Sequence, residues 1–256
     1  MPKLAVLILT YNEKNNIKEC IESAQFADEI IVVDSFSNDG TQSIAKKLGA
    51  VVFENGFEEG FAAQRNFALT CTKCDWIFYL DADERITQGL AEELKEVSKQ
   101  PAVGSSFEVL RQNFVLGKKM FHGVYQPDWS HRMYPRDSIK WEGIVHERPN
   151  TNTVKKRLNE CLLHYTYSDW EKYFSTFNRY TTMMASEYFK KGKKTGHINS
   201  LLRAYFAFFQ AYILRQGFRD GKLGLTLSVF HAFYTMVKYQ KLLFLQNEKM
   251  DRGASV

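Results

Sequence analysis

Four short apolar runs, each followed by a helical pattern, restrict this chain to a narrow set of folds. Residues 4–9 form one continuous apolar run, too short for a buried helix and suited to a strand covered on both faces. Asn12, Asn15 and Asn16 supply capping side chains for a helix on which Ile17, Cys20, Ile21 and Ala24 share a face. Residues 29–33 predict a second strand, ending in Asp34. Asp39-Gly40-Thr41 then turns the chain into a helix with Ile44, Ala45 and Leu48 inward and Gly49 as its stop. A strand over 51–53, a helix over 62–69 and a strand over 76–80 complete the series. Such alternation implies right-handed crossovers and a largely parallel sheet, so the expected class is α/β. Ligands on these sheets bind at the carboxyl ends of the strands. The polar residues after each strand are therefore the ones to inspect.

Downstream the pattern changes. A helix is expected over 87–99, then shorter strands and loops over 104–148, rich in Arg, Trp and Tyr. From Ser168 helices dominate, at roughly 169–191, 198–217 and 222–246, with Gly192, Gly196, Gly217 and Gly221 as breaks. Charge shifts with the pattern. Residues 1–150 hold 17 Lys and Arg against 22 Asp and Glu, a net −5, while residues 151–256 hold 17 against 7, a net +10. A basic, aromatic C-terminal part suggests an anionic partner, and no nucleic-acid-binding motif accompanies it.

No segment reads as a membrane span. Residues 201–218 are interrupted by Arg203, Gln210 and Arg215, and the uncharged stretch 223–237 falls short of the ~20 residues required. Aromatic helices with Lys190, Lys191, Lys193 and Lys194 at their margin have the composition of segments lying on a membrane surface. Packing on the first domain or a contact between two subunits would explain the same pattern. The N-terminus carries no cleavable leader pattern, which predicts a cytoplasmic protein at the inner face of the membrane. Cys20, Cys71, Cys74 and Cys161 then read as reduced thiols, since no second ligand pair completes a zinc site with Cys71 and Cys74.

The segment Trp76-Ile77-Phe78-Tyr79-Leu80-Asp81-Ala82-Asp83-Glu84 carries the chemistry. An apolar strand delivers two carboxylates to its carboxyl end, where they repel unless a cation joins them. Mg²⁺ or Mn²⁺ suits them, and Mg²⁺ usually completes its shell with phosphate oxygens and water. Thr10-Tyr11-Asn12-Glu13 and Asp34 should open on the same crevice, where a ring can stack on a nucleobase and a carboxylate can accept its N–H. No GxGxxG or GKS/GKT phosphate loop is present, so the diphosphate needs a metal.

Thr10-Tyr11-Asn12-Glu13, Val32-Val33-Asp34-Ser35 with Asp39-Gly40-Thr41, Gln64-Arg65-Asn66 and Leu80-Asp81-Ala82-Asp83 resemble the ordered motifs of family 2 glycosyltransferases of the GT-A fold. His131-Arg132-Met133-Tyr134-Pro135 and Gly143-Ile144-Val145-His146-Glu147 resemble the branch containing lipopolysaccharide-core β-1,4-glucosyltransferases. The resemblance implies a GT-A catalytic domain over 1–165, a Rossmann-like and mostly parallel sheet flanked by helices, with a helical basic region over 166–256. It implies inverting transfer of one sugar, glucose by analogy, from a UDP-sugar to a lipid-linked saccharide such as lipopolysaccharide inner core. Thr10, Tyr11 and Asp34 would hold uracil and ribose, and Glu13 would support its loop. Arg65 would lie by the nucleotide or donor sugar. Asp81 would contact ribose and metal, and Asp83 would ligate the metal. A carboxylate must take the proton from the acceptor hydroxyl; Glu147 is the first candidate and Asp128 the second. His164 is either a further metal ligand or a hydrogen-bonded core residue. Arg132 and Arg136 are candidates for a phosphorylated acceptor or the donor diphosphate, and His122 and Trp141 for the acceptor site. The ED and QxxRW patterns of processive relatives are missing, which argues for single-sugar transfer.

A phosphatase acting on a phosphorylated sugar through a DxD motif is the alternative. Its nucleophilic Asp would stand near the chain start, with Thr or Val four positions on, where this chain has Arg85. A sugar-nucleotide pyrophosphorylase would need a Gly-rich loop after the first strand.

Overall fold

The computed structural model describes residues 1–56, 60–143 and 148–253, with side chains to 248. The chain forms two compact units, one of residues 1–112 with 128–165, the other of 113–127 with the residues from 166 onward.

In the first unit the apolar runs become strands. They are β1 (Leu4–Thr10), β2 (Glu29–Asp34), β3 (Val51–Glu54) and β4 (Trp76–Asp81), connected by α1 (Ile17–Ala24), α2 (Thr41–Lys47) and α3 (Gly60–Thr70). They lie parallel in the order β3-β2-β1-β4. Alternate residues of each run face opposite layers, which is why the runs are unbroken. Leu4, Val6, Ile8, Val32, Phe78 and Leu80 pack on Ile17, Cys20, Ile21 and Ala24 of α1. Ala5, Leu7, Val33, Ile77 and Tyr79 pack on Ala62 and Ala68 of α3.

The sheet then turns antiparallel and is mixed as a whole. After β5 (Glu84–Ile86) and α4 (Gln88–Ser98) come β6 (Ser105–Val115), β7 (Lys118–Lys119), β8 (Trp129–Pro135), β9 (Lys140–Glu142), β10 (Arg148–Asn150) and β11 (Val154–Tyr167). The full order is β3-β2-β1-β4-β8-β6-β11-β5, with β8 antiparallel to β4 and β5 antiparallel to β11. That last pairing sets His164 opposite Glu84. The asparagines ahead of α1 do not cap it. Asn16 stands at the N-cap without a side-chain bond to the helix and donates to Glu13 instead, while Asn12 Oδ1 accepts from the Asn38 amide. The four cysteines are free thiols.

The second unit is built from α5 (Trp170–Lys190), α6 (His197–Phe209) and α7 (Gly221–Gly253). Asp169 caps α5 by accepting from the Lys172 amide at 2.7 Å. Trp170, Tyr173, Phe174 and Phe177 of α5 meet Phe230, Phe233 and Tyr234 of α7 ring against ring. The start of α7 needs glycine, because a Cβ on Gly224 would collide with the Gly217 carbonyl oxygen. Gly224→Ala is therefore expected to lower stability by about 3 kcal/mol. An unchanged midpoint in chemical denaturation would show that this close approach does not exist. Among the described residues no helix is long and apolar enough to cross a membrane.

Candidate active site

The tips of β2, β1 and β4 lie side by side. Register sets Leu9 beside Asp81 and Thr10 beside Asp34, so the two acids flank the end of β1, roughly 10 Å apart by strand spacing. Their environments differ completely.

Asp34 is fully buried. One of its oxygens accepts from the Thr10 hydroxyl at 2.7 Å and the Ser37 hydroxyl at 2.6 Å. The other accepts from the Ser37 amide at 2.7 Å and Gln42 Nε2 at 2.8 Å. Thr10 and Asp34 thus close on each other and shape the loop at 35–42. That loop is joined to the one after β1 through Asn12 N to Ser37 Oγ at 2.7 Å, Glu13 N to Thr41 Oγ1 at 2.9 Å and Lys14 N to Asp39 Oδ2 at 3.0 Å. Burial opposes ionisation of Asp39, but the Thr41 hydroxyl and the Lys14 and Thr41 amides outweigh it and hold its carboxyl below the ordinary aspartate value. Glu13 accepts the amides of Asn16 and Ile17 on its carbonyl. Tyr11, 63 % exposed, presents its ring outward beside these loops.

Helix α3 contributes three consecutive side chains with three separate duties. Gln64 Nε2 donates to the carbonyl oxygens of Asn55 and Gly56 and fixes the chain after β3. Arg65 lies over Tyr79 and Trp141, 5.1 and 4.7 Å from the ring centroids, and reaches Asp81 Oδ1 at 3.4 Å. Asn66 pairs with the Trp141 backbone, donating to its carbonyl at 2.9 Å and accepting from its amide at 2.8 Å.

Asp81 sits in a cluster of interleaved charges. Arg132 Nη2 is 2.5 Å from Asp81 Oδ2 and 2.5 Å from Glu84 Oε1. Arg111 lies 3.3 Å from Glu84 Oε1 and 2.9 Å from Asp128 Oδ2. Glu84, with no exposed surface, also accepts the Asp81 amide at 3.0 Å. Burial works against ionisation at Asp81, but the guanidiniums of Arg132 and then Arg65 prevail and hold it well below the ordinary value. For Glu84 burial prevails over Arg132, and the adjacent Asp81 charge adds to the upward shift. The two neighbouring carboxyl groups are thereby shifted in opposite directions, Asp81 down and Glu84 up. Asp81 keeps a third of its side chain, 34 %, open to solvent.

Asp83 follows in the turn between β4 and β5, its carbonyl accepting from the Tyr165 amide at 2.9 Å. Its carboxylate oxygen lies 3.6 Å from His164 Nε2, and both side chains are partly accessible, 23 % and 12 %. An oxygen and an imidazole nitrogen so placed fit a divalent ion of the Mn²⁺ type. Among the described residues no three His, Cys, Asp or Glu side chains form a ready-made cage. An ion that takes much of its shell from phosphate and water does not require one.

The remaining sequence candidates fall elsewhere. Arg136 is not part of this cluster. Because β8 runs antiparallel to β4, Pro135 pairs with Trp76, and Arg136 sits at the amino end of β4, roughly 17 Å from Asp81 along the strand. There it donates to the carbonyls of Asp75 and Thr72 and meets Asp137. His122 belongs to the second unit, with Nδ1 3.0 Å from Asp220 Oδ1. Trp141 is buried against Tyr79 and Tyr134 and serves as the floor under Arg65. Glu147 lies outside the described residues. Sequence pattern alone assigns no role to Glu84 or Arg111. Glu84 follows the two aspartates directly, which is a signal; Arg111 offers none.

The glycosyl transferase family 2 profile matches residues 5–163. The lipopolysaccharide core biosynthesis glycosyltransferase LpsC of Rhizobium meliloti is 28 % identical over 100 % of this chain and 99 % of its own. A glycosyltransferase of Rickettsia bellii is 28 % identical over 94 % of this chain and 86 % of its own. Among solved structures, the mannosyltransferase PcManGT of Pyrobaculum calidifontis, in complex with GDP-Man and Mn²⁺, superposes with a TM-score of 0.57 at 17 % identity. That superposition covers 94 % of this chain and 87 % of that one, and it shows a shared fold. With the profile spanning both the parallel strands and the antiparallel ones that complete the charge cluster, the chain is a glycosyltransferase of GT-A architecture and belongs to glycosyl transferase family 2.

Proposed function

We propose that this enzyme transfers a single sugar, glucose, from a UDP-sugar to a lipid-linked saccharide such as lipopolysaccharide inner core, with inversion, at the inner face of the cytoplasmic membrane. The observation that carries the reading is the ionised, one-third-open Asp81 held between Arg65 and Arg132, next to Asp83 and His164. The full-length likeness to LpsC supports the acceptor class. Residues 1–165 form the donor-binding catalytic domain in this reading, and 166–256 the membrane-side region.

Tyr11 stacks on the base, while Thr10, Glu13 and Asp34 hold the two loops that present it. Asp81 accepts from the ribose, and Arg65 and Arg132 stand beside the diphosphate. Asp83 and His164 hold the divalent ion, Mn²⁺ or Mg²⁺. When bound there, that ion supplies positive charge against the departing diphosphate. Glu147 takes the proton of the acceptor hydroxyl. Asp128 is less suited to this task, because its carboxylate is already engaged by Arg111 at 2.9 Å.

Turnover of UDP-glucose, UDP-galactose, UDP-GlcNAc and UDP-GalNAc with and without Mn²⁺ tests the donor, with metal-stimulated turnover of UDP-glucose expected to be the fastest. Glu147→Gln is expected to leave UDP affinity within about twofold and to lower transfer by about 10³-fold, the loss typical of a missing general base. If Asp128→Asn alone has that effect, the base is Asp128.

A further inference from the structure

Helix α6 is built inside out. Its buried positions are small: Ser200, Ala204 and Ala207. Its outward face carries Ile198, Leu201, Leu202, Tyr205, Phe206 and Phe209, with exposures from 39 to 75 %. At 100° per residue these six side chains centre on the side opposite the small ones. A helix that hides alanines and shows leucines and aromatics to the outside is made to meet a second apolar medium.

Charge says which medium. Between Glu187 and Glu248 the sequence holds ten Lys and Arg and one carboxylate, Asp220. That carboxylate is already taken by His122 and by the amides of Phe121 and His122. At the margin of the apolar face three cations gather around two tyrosine rings that lie 5.7 Å apart, Tyr188 and Tyr239. Lys193 Nζ is 4.0 Å from the Tyr188 centroid, Arg203 Cζ is 4.9 Å from that of Tyr239, and Lys238 Nζ lies 5.6 and 5.3 Å from the two. The three come from a loop, α6 and α7. None of them forms an ion pair among the described residues. Burial first, then Lys193 and Arg203, press the Lys238 amine below its ordinary value, as expected of like charges held close together.

We propose that Lys193, Arg203 and Lys238 form a site for the phosphate of an anionic phospholipid, and that the outer face of α6 enters the bilayer interface beside it. A second protein copy docked through this same face would offer the same Lys and Arg to the cluster and leave it unneutralised, whereas an anionic lipid surface supplies both the apolar medium and the negative charge. The inference deepens the membrane part of the proposed function and rests on it, and its test uses neither donor nor acceptor.

Full-length protein is sedimented with phosphatidylglycerol vesicles and with phosphatidylcholine vesicles at low salt. Binding is expected to the first and to be much weaker with the second. Lys193→Gln/Arg203→Gln/Lys238→Gln is expected to weaken binding about 100-fold, at about tenfold or less per cation near the surface. Leu202→Ser/Tyr205→Ser/Phe206→Ser should weaken it at least tenfold, and these exposed positions leave the fold intact. A charge-matched control, Lys18→Gln/Lys46→Gln/Lys47→Gln on α1 and α2, should stay within about threefold of the parent. The proposal is overturned if the parent ignores phosphatidylglycerol, or if either test variant binds like the control. It is also overturned if the parent dimerises in solution and the serine variant abolishes the dimer but not vesicle binding. Loss of sugar transfer in an otherwise membrane-bound protein would count against the proposed reaction and leave this site standing.

Discussion

Arg132→Met is expected to lower the free energy of unfolding by about 3–5 kcal/mol, the usual consequence of removing one partner from a buried charge pair. Arg132 is only 4 % exposed and its Nη2 lies between Asp81 and Glu84. Methionine fills much of the volume but leaves Glu84, which has no exposed surface, with Arg111 at 3.3 Å beside it. The variant is also expected to lose transfer by at least about 100-fold, since Asp81 would no longer be held in place. Stability and activity can be separated by adding Glu84→Gln. That second change removes the stranded charge and should return a substantial part of the lost stability, measured by urea denaturation, while transfer stays low. A double variant as unstable as Arg132→Met alone would mean that packing around Arg132, and not the charge it neutralises, holds this region.

Asp83→Ala is expected to reduce transfer by about 10³-fold, in keeping with the several kcal/mol a metal ion contributes to stabilising a leaving diphosphate. Stability should change by no more than about 0.5 kcal/mol. The fold tolerates the change because the tie Asp83 makes to the sheet, from the Tyr165 amide, falls on its backbone carbonyl and survives in alanine. Raising Mn²⁺ should not restore the rate. Transfer retained in this variant would contradict the assignment of the metal to Asp83 and His164.

The two halves of the first unit were unequally legible in the sequence. In 4–9, 29–33 and 76–80 every position is apolar or nearly so, because helices cover both faces, and that leaves a pattern no other arrangement reproduces. β6 leaves none. Glu108 is buried in its middle, held by Arg157 at 2.7 Å and Lys155 at 2.8 Å from β11, so polarity there reflects pairing with a distant strand and not exposure. The site divides in the same way. Asp81 and Asp83 follow from their place at a strand end. Arg132 and Arg136 are indistinguishable as residues, and only the antiparallel course of β8 sends one to Asp81 and the other to the opposite end of β4. Glu84 and Arg111 are tied to partners 48 and 27 positions away in sequence, a distance at which local patterning carries no information.

Soaking crystals with UDP and MnCl₂ and locating the metal by its anomalous scattering tests the site most directly. The nucleotide is expected across the tips of β1, β2 and β4, with its base against Tyr11 and one manganese peak between the diphosphate and the Asp83–His164 pair. Nucleotide bound away from those tips, or a manganese peak that touches neither Asp81 nor Asp83, would contradict the assignment.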